Sequence, residues 1–137
     1  MTKDLTRAVE LYERAAELGE KKAHCKLGYL YGEGEDVEKD TAKAIQHYEA
    51  AAVKGDVLSR HNLGVLEYYA GNSKLALQHF MIAAKLGYQG SLGNIKILFM
   101  DGLATKADYA EALRGHQSAV EEMTSPEREG ALAWIRK

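Results

Sequence analysis

The side chains that could do chemistry in this 137-residue chain are five histidines and a single cysteine. His24 and Cys25 are adjacent, and His61 follows Cys25 at the same position of the next structural repeat, so a thiolate–imidazole nucleophile is the first candidate. Such a pair also needs an orienting group and an oxyanion site, and no motif supplies either. A metal centre is the second candidate. The chain has neither His-Glu-x-x-His nor Cys-x-x-Cys, and His47 and His79 fall on equivalent positions one repeat apart. Stacked helices lie about 9 Å apart, too far for those two rings to share a zinc ion with bonds of about 2 Å. The acidic run from Glu33 to Asp40 lacks the alternating ligands and distal glutamate of a calcium loop and reads as a solvated turn. Gly87, Gly90 and Gly93 have no strand before them and no Gly-Lys-Ser/Thr after them, so they do not form a phosphate loop and are expected to loosen the start of a helix. The residues therefore predict no catalytic site, no metal and no cofactor.

What positions these residues is a repeat. Four segments share an acidic or amide residue, an alanine, an aromatic or histidine four residues on, a small pair, and usually a glycine. They are Asp4–Gly19, Asp40–Gly55, Asn72–Gly87 and Asp108–Met123, with marker alanines Ala8, Ala44, Ala76 and Ala112. A recurrence every 32 to 36 residues is the signature of a stacked helical array, whose function lies in a surface. Between these segments runs a second pattern: Ala23-x-x-x-Leu27-Gly28-x-x-Tyr31, Ser59-x-x-x-Leu63-Gly64, and Ser91-x-x-x-Ile95 with Phe99. Small and apolar residues at i, i+4 and i+8 form one stripe of an α-helix. Each unit thus reads as helix A, a turn, helix B and a glycine. Small residues such as Gly28, Ala44 and Ala51 let the helices approach, while Leu27, Tyr31 and Tyr48 fill the space around them.

The pattern predicts helices near 4–18, 21–32, 40–54, 57–70, 73–86, 90–101, 106–123 and 126–136 and no strand. The fold class is all-α, an α-solenoid of antiparallel helix pairs forming one domain over 1–137. Its parts are a half-repeat over 4–19, repeats over 20–55, 56–87 and 88–123, and a capping helix over 125–137. Leu5, Val9 and Leu11 lie on a helix B that lacks its helix A and should form a capping helix or an edge that partly lacks a partner. At the other end Thr124-Ser125-Pro126-Glu127 is a helix-start signal, and Trp134 and Ile135 supply an apolar face for a cap over the nearly all-apolar helix A of the third repeat.

The first full repeat carries a specific resemblance. Leu27-Gly28-x-x-Tyr31-x-x-Gly34-x-x-Val37-x-x-Asp40-x-x-Lys43-Ala44-x-x-x-Tyr48-x-x-Ala51-Ala52-x-x-Gly55 is similar to the Sel-one-like repeats (SLR), relatives of the tetratricopeptide repeats. It departs at Asp36, where the family usually places glycine, and the third unit departs at Lys96, Ala104 and Thr105. The second unit has a shorter A–B turn, tetratricopeptide-like in length. The resemblance implies a right-handed superhelix with a concave groove lined by helices A. Carried over by position, the groove residues are Cys25 and Tyr29, His61 and Val65, Gly93 and Ile97, with Tyr68, Tyr69 and Met100 a turn further on. It also implies a protein or peptide as partner.

Bulk properties narrow the classes. Lys plus Arg number 18 and Asp plus Glu 20, and no basic cluster argues for nucleic acid. No apolar run reaches the ~20 residues of a membrane span, and the polar start lacks a signal-peptide core. A lone cysteine excludes an internal disulfide and fits a reducing, cytoplasmic compartment. The expected function is a non-enzymatic interaction module, monomeric or self-associating through its terminal helices, that holds a peptide or partner helix in the groove. Two readings stand beside it. One is a hydrolase of the kind proposed for cysteine-rich SLR proteins, whose cysteine pairs this chain lacks, and the other is a structural or engineered scaffold without a natural ligand. The groove side chains also have a purely structural reading, in which they pack on neighbouring helices A.

Overall fold

The computed structural model describes residues 3–34 and 37–123, and among them it contains seven helices and no strand. They are α1 (Lys3–Glu17), α2 (Lys21–Glu33), α3 (Thr41–Ala52), α4 (Val57–Tyr69), α5 (Ser73–Lys85), α6 (Gln89–Met100) and α7 (Lys106–Met123). Each bound falls within two residues of the sequence expectation. The predicted eighth helix, with Trp134 and Ile135, lies outside the described residues. Gly90 and Gly93, expected to loosen the start of a helix, both lie inside α6.

Starts and stops have local causes. Asp40 accepts a hydrogen bond from Lys43 N at 3.1 Å, and Asp56 accepts one from Ser59 N at 3.0 Å, so each caps the helix that follows. Thr105 and Asp108 cap α7 reciprocally, through Thr105 N to Asp108 Oδ2 at 2.9 Å and Asp108 N to Thr105 Oγ1 at 3.0 Å. The first six helices are each followed by a glycine at positive φ. Gly34 is the most constrained of these. Its φ is 67°, and a Cβ there would stand 2.5 Å from Lys39 Cβ, so both the backbone and the turn exclude a side chain.

The chain divides into two compact units, Met1–His79 and Phe80–Lys137, with the boundary inside α5. In the first unit α1, α2, α3 and α4 pack in succession and α2 also meets α4. One core cluster is Ala16, Ala23 and Leu27, with Val9, Tyr12 and Tyr31 against it. A second is Ala44, Tyr48, Ala52 and Leu63, with Cys25, Tyr31, Ile45 and Leu66 against it. Tyr31 belongs to both, and Leu27 and Leu63, each essentially inaccessible, contribute on the order of 2 kcal/mol apiece by burial. At Gly28 α2 and α3 approach closely: a Cβ there would lie 2.7 Å from the Tyr48 ring. On α1, Val9 packs inward while Leu11 is exposed. In the second unit Phe80, Ala83, Ala84, Ile95, Leu98 and Ala112 are buried, α6 packs on α7, and Phe99 meets Tyr109 with ring centroids 5.8 Å apart.

Candidate functional site

Among the side chains of α2 and α4 that are not fully buried, Lys22, Lys26, Tyr29 and Glu33 share one face of α2, and Leu58, Asn62 and Val65 share one face of α4, each set following the helical period. Between them lies a recess of about 300 Å³ lined by Tyr29, Glu33, Leu58, Asn62 and Val65 over a floor that includes Tyr48. A second, of about 530 Å³, is lined by Lys22, Cys25, Lys26, Tyr29, Asp56, Leu58 and Asn62. The two share Tyr29, Leu58 and Asn62 and so form one trough in the first unit. Tyr29 is 47% and Leu58 44% exposed, which leaves both available to a partner. The Lys26 ammonium lies 5.5 Å from the Tyr29 ring centroid. Beneath them Tyr48 has its phenol pushed up to about 12, first by burial.

Of the groove residues read from sequence, the structure brings Cys25, Tyr29 and Val65 to this trough. His61 is half-buried, with its proton affinity lowered by burial. Tyr68 and Tyr69 form an exposed edge-to-face pair at the end of α4, centroids 5.5 Å apart. Ile97 and Met100 lie on α6 in the second unit, 52% and 73% exposed, while Ile95 and Leu98 of the same helix are buried. Gly93 is open, with nothing near a Cβ built on it. Sequence reasoning missed Lys22, Lys26, Glu33, Leu58 and Asn62, although their spacing along one face of each helix was the available signal.

The histidines and the cysteine pair in a way that their sequence positions did not suggest. Burial raises the Cys25 thiol above its ordinary value, and the Ser59 hydroxyl and Asp56 carboxylate of the α4 start also act on it. A nucleophilic cysteine needs the opposite shift. His24 pairs instead with His47, Nδ1 to Nδ1 at 3.1 Å, between α2 and α3. His47 stacks on Tyr31 at 5.9 Å and 7°, and the Tyr31 hydroxyl donates to Glu13 Oε1 at 2.8 Å. Both imidazoles have lowered proton affinity, each first by burial; next in weight are the Lys54 charge for His24 and His24 itself for His47. At neutral pH one neutral ring then donates to the other. No group of three or more His, Cys, Asp or Glu able to hold a metal occurs among the described residues. No helix among them is long and apolar enough to cross a membrane.

Comparison with known proteins places this arrangement. The family model of the Sel1 repeat matches residues 1–20, 21–56, 57–88 and 90–114, so the chain belongs to the Sel1 repeat family. It is similar to the crystal structure of a protective antigen of uropathogenic Escherichia coli strains that displays an SLR fold, with a TM-score of 0.70 and 34% identity. It is also similar to a Sel1 repeat protein from Oxalobacter formigenes, with a TM-score of 0.66 and 31% identity. Each match covers 89% of this chain but only 27% of the first protein and 52% of the second. Among curated proteins none matches. The fold is thus a helical-repeat fold of the SLR kind, and Sel1 repeats typically serve protein interaction.

Proposed function

We propose that this chain is a non-enzymatic protein-interaction module that holds a peptide or partner helix in the trough between α2 and α4. The observation that carries this reading is that Tyr29 and Leu58 stand roughly half exposed over a recess although the inward stripe of both helices is already supplied by Leu27 and Leu63. An aromatic side chain held on a rigid helix, apolar over its ring and flanked by polar groups, is suited to recognition. Val65 extends the strip, and Cys25 contributes as a neutral wall residue. His61, Tyr68 and Tyr69 would supply hydrogen bonds at the rim of the groove, and Ile97 and Met100 give α6 an exposed apolar face suited to the same kind of contact. A surface of this size supports micromolar association.

The test uses peptides selected by display on the wild-type protein. Tyr29→Ala combined with Val65→Ser is expected to weaken their binding at least tenfold, about 1.4 kcal/mol, with little change in melting temperature. A variant that melts lower while binding the same peptides unchanged would instead assign these residues to packing.

A further inference from the structure

Resting on the peptide-binding reading, we infer that the trough takes an extended segment of defined charge polarity: an acidic residue at one end, an apolar side chain in the middle and a basic residue at the other end. The trough itself is polar in this sense. Lys22 and Lys26 line the recess at the start of α2, and Glu33 lines the recess at its end. All three are exposed, and none is in an ion pair among the described residues. Asp56 lines the cationic end too, but its carboxylate accepts from both the backbone N and the hydroxyl of Ser59 and is held by the α4 cap.

Two ammonium groups one helical turn apart repel each other, and the helix gains nothing from their proximity. A carboxylate placed between them would relieve that repulsion. Lys26 already lies at the Tyr29 ring, so an acidic side chain reaching it would set the next residues over Tyr29, Leu58 and Val65. From the Lys22–Lys26 midpoint to Glu33 is roughly 13 Å along the helix axis, at about 1.5 Å per residue. An extended chain covers that span in about four residues. Complementary charges at the two ends would fix the register of a segment whose apolar centre alone could slide.

The experiment measures fluorescence anisotropy with three labelled eight-residue peptides. They share an apolar centre containing leucine and phenylalanine and carry acidic–basic, acidic–acidic or basic–basic ends. Exposed ion pairs are individually weak, so the acidic–basic peptide is expected to bind wild-type protein about three- to tenfold more tightly than either other, with an advantage that shrinks at high salt. Lys22→Glu with Lys26→Glu is expected to turn the preference to the basic–basic peptide, and Glu33→Lys to the acidic–acidic one. Equal binding of all three, or a preference unmoved by these changes, overturns the polarity. If equal binding is lost in the Tyr29→Ala, Val65→Ser protein, the groove stands and only the polarity fails. If none of the three binds, both readings fail. These positions are exposed, and circular dichroism checks that each variant keeps its helices.

Discussion

Two successive helix junctions in the first unit occupy the same places in the repeat and use different chemistry there. At the first, Glu13, His24, Tyr31 and His47 form a connected set in which the two imidazoles bond and the phenol bridges to the carboxylate. At the second, one repeat on, the same places hold Glu49, Arg60, Glu67 and His79. His79, like His47, has its proton affinity lowered first by burial, but then by the Arg60 charge, with Glu67 and Glu49 opposing. Its Nδ1 is buried without a hydrogen-bond partner among the described residues. The small and apolar positions around the two nevertheless correspond. Leu27 and Leu63, and Gly28 and Gly64, are buried at matching positions. The two junctions thus share their small and apolar positions and differ in their polar ones.

The most damaging test falls on one of the shared positions. Gly28→Ala places a methyl 2.7 Å from Cδ1 and Cε1 and 2.9 Å from Cγ of Tyr48, a ring only 4% exposed. Overpacking of this kind costs about 1–3 kcal/mol, more than the up to ~1 kcal/mol gained from replacing glycine inside a helix. A net loss of up to about 2 kcal/mol is expected in urea unfolding. Gly32→Ala is the control one turn along. Its Cβ would sit 3.6 Å from Ala44 Cβ, an ordinary contact, and this variant should be neutral or slightly more stable. Equal destabilisation of both would show that the close approach at Gly28 is not what sets the helix spacing.

How far the sequence revealed all this depends on which positions one compares. The buried set was legible because alanine, aromatic and alanine pair recur at a fixed offset: Ala44, Tyr48, Ala51 and Ala52 recur as Ala76, Phe80, Ala83 and Ala84, and all eight are buried. Tyr29 and Val65 were legible as places offset from Leu27 and Leu63. Comparing like with like also set His47 beside His79 and Cys25 beside His61. The bond that forms is His24 to His47, which joins a helix A to the helix B after it and so pairs two different kinds of position. No spacing within one repeat class shows such a pair. The charged ends of the trough were missed for another reason: Lys22 and Glu33 lie beyond the two positions either side of Leu27 and require the whole face of the helix to be followed.

The next test sharpens the contrast by making one substitution at both junctions. His47→Phe keeps a ring against Tyr31 but removes the bond to His24, at a cost of about 1 kcal/mol. His79→Phe removes a buried nitrogen that has no partner among the described residues and should stabilise by about the same amount. Opposite shifts in melting temperature, about 4 °C each way, are expected from scanning calorimetry. Shifts of the same sign would mean that the two histidines do the same work despite their different neighbours.

The smallest effect on stability at neutral pH is expected from Lys43→Leu, which gives the first junction the residue found at the matching place of the second, Leu75. The Lys43 ammonium lies 5.1 Å from the Tyr31 ring centroid, an exposed cation–π contact, and its loss should cost about 0.5 kcal/mol or less because leucine keeps the apolar stem. The change should show more plainly in acid. His47 faces Glu13 from α1, His24 and Tyr31 from α2, and Lys43 on its own helix, and after burial and His24 the Lys43 charge is a further cause of its lowered proton affinity. A histidine that titrates lower in the folded than in the unfolded chain contributes stability that is complete above the unfolded value of about 6.5. That stability is lost as pH falls from there through the folded value, because the unfolded chain binds the proton first. Wild-type protein should therefore weaken on acidification below about pH 6.5. Without Lys43 the folded value moves up toward the ordinary one, the window narrows and less stability is lost. The His47 titration followed by NMR, together with urea midpoints at neutral and acid pH, tests both halves. An unmoved titration would show that solvent screens Lys43 from the ring, leaving burial and His24 to set its proton affinity against Glu13.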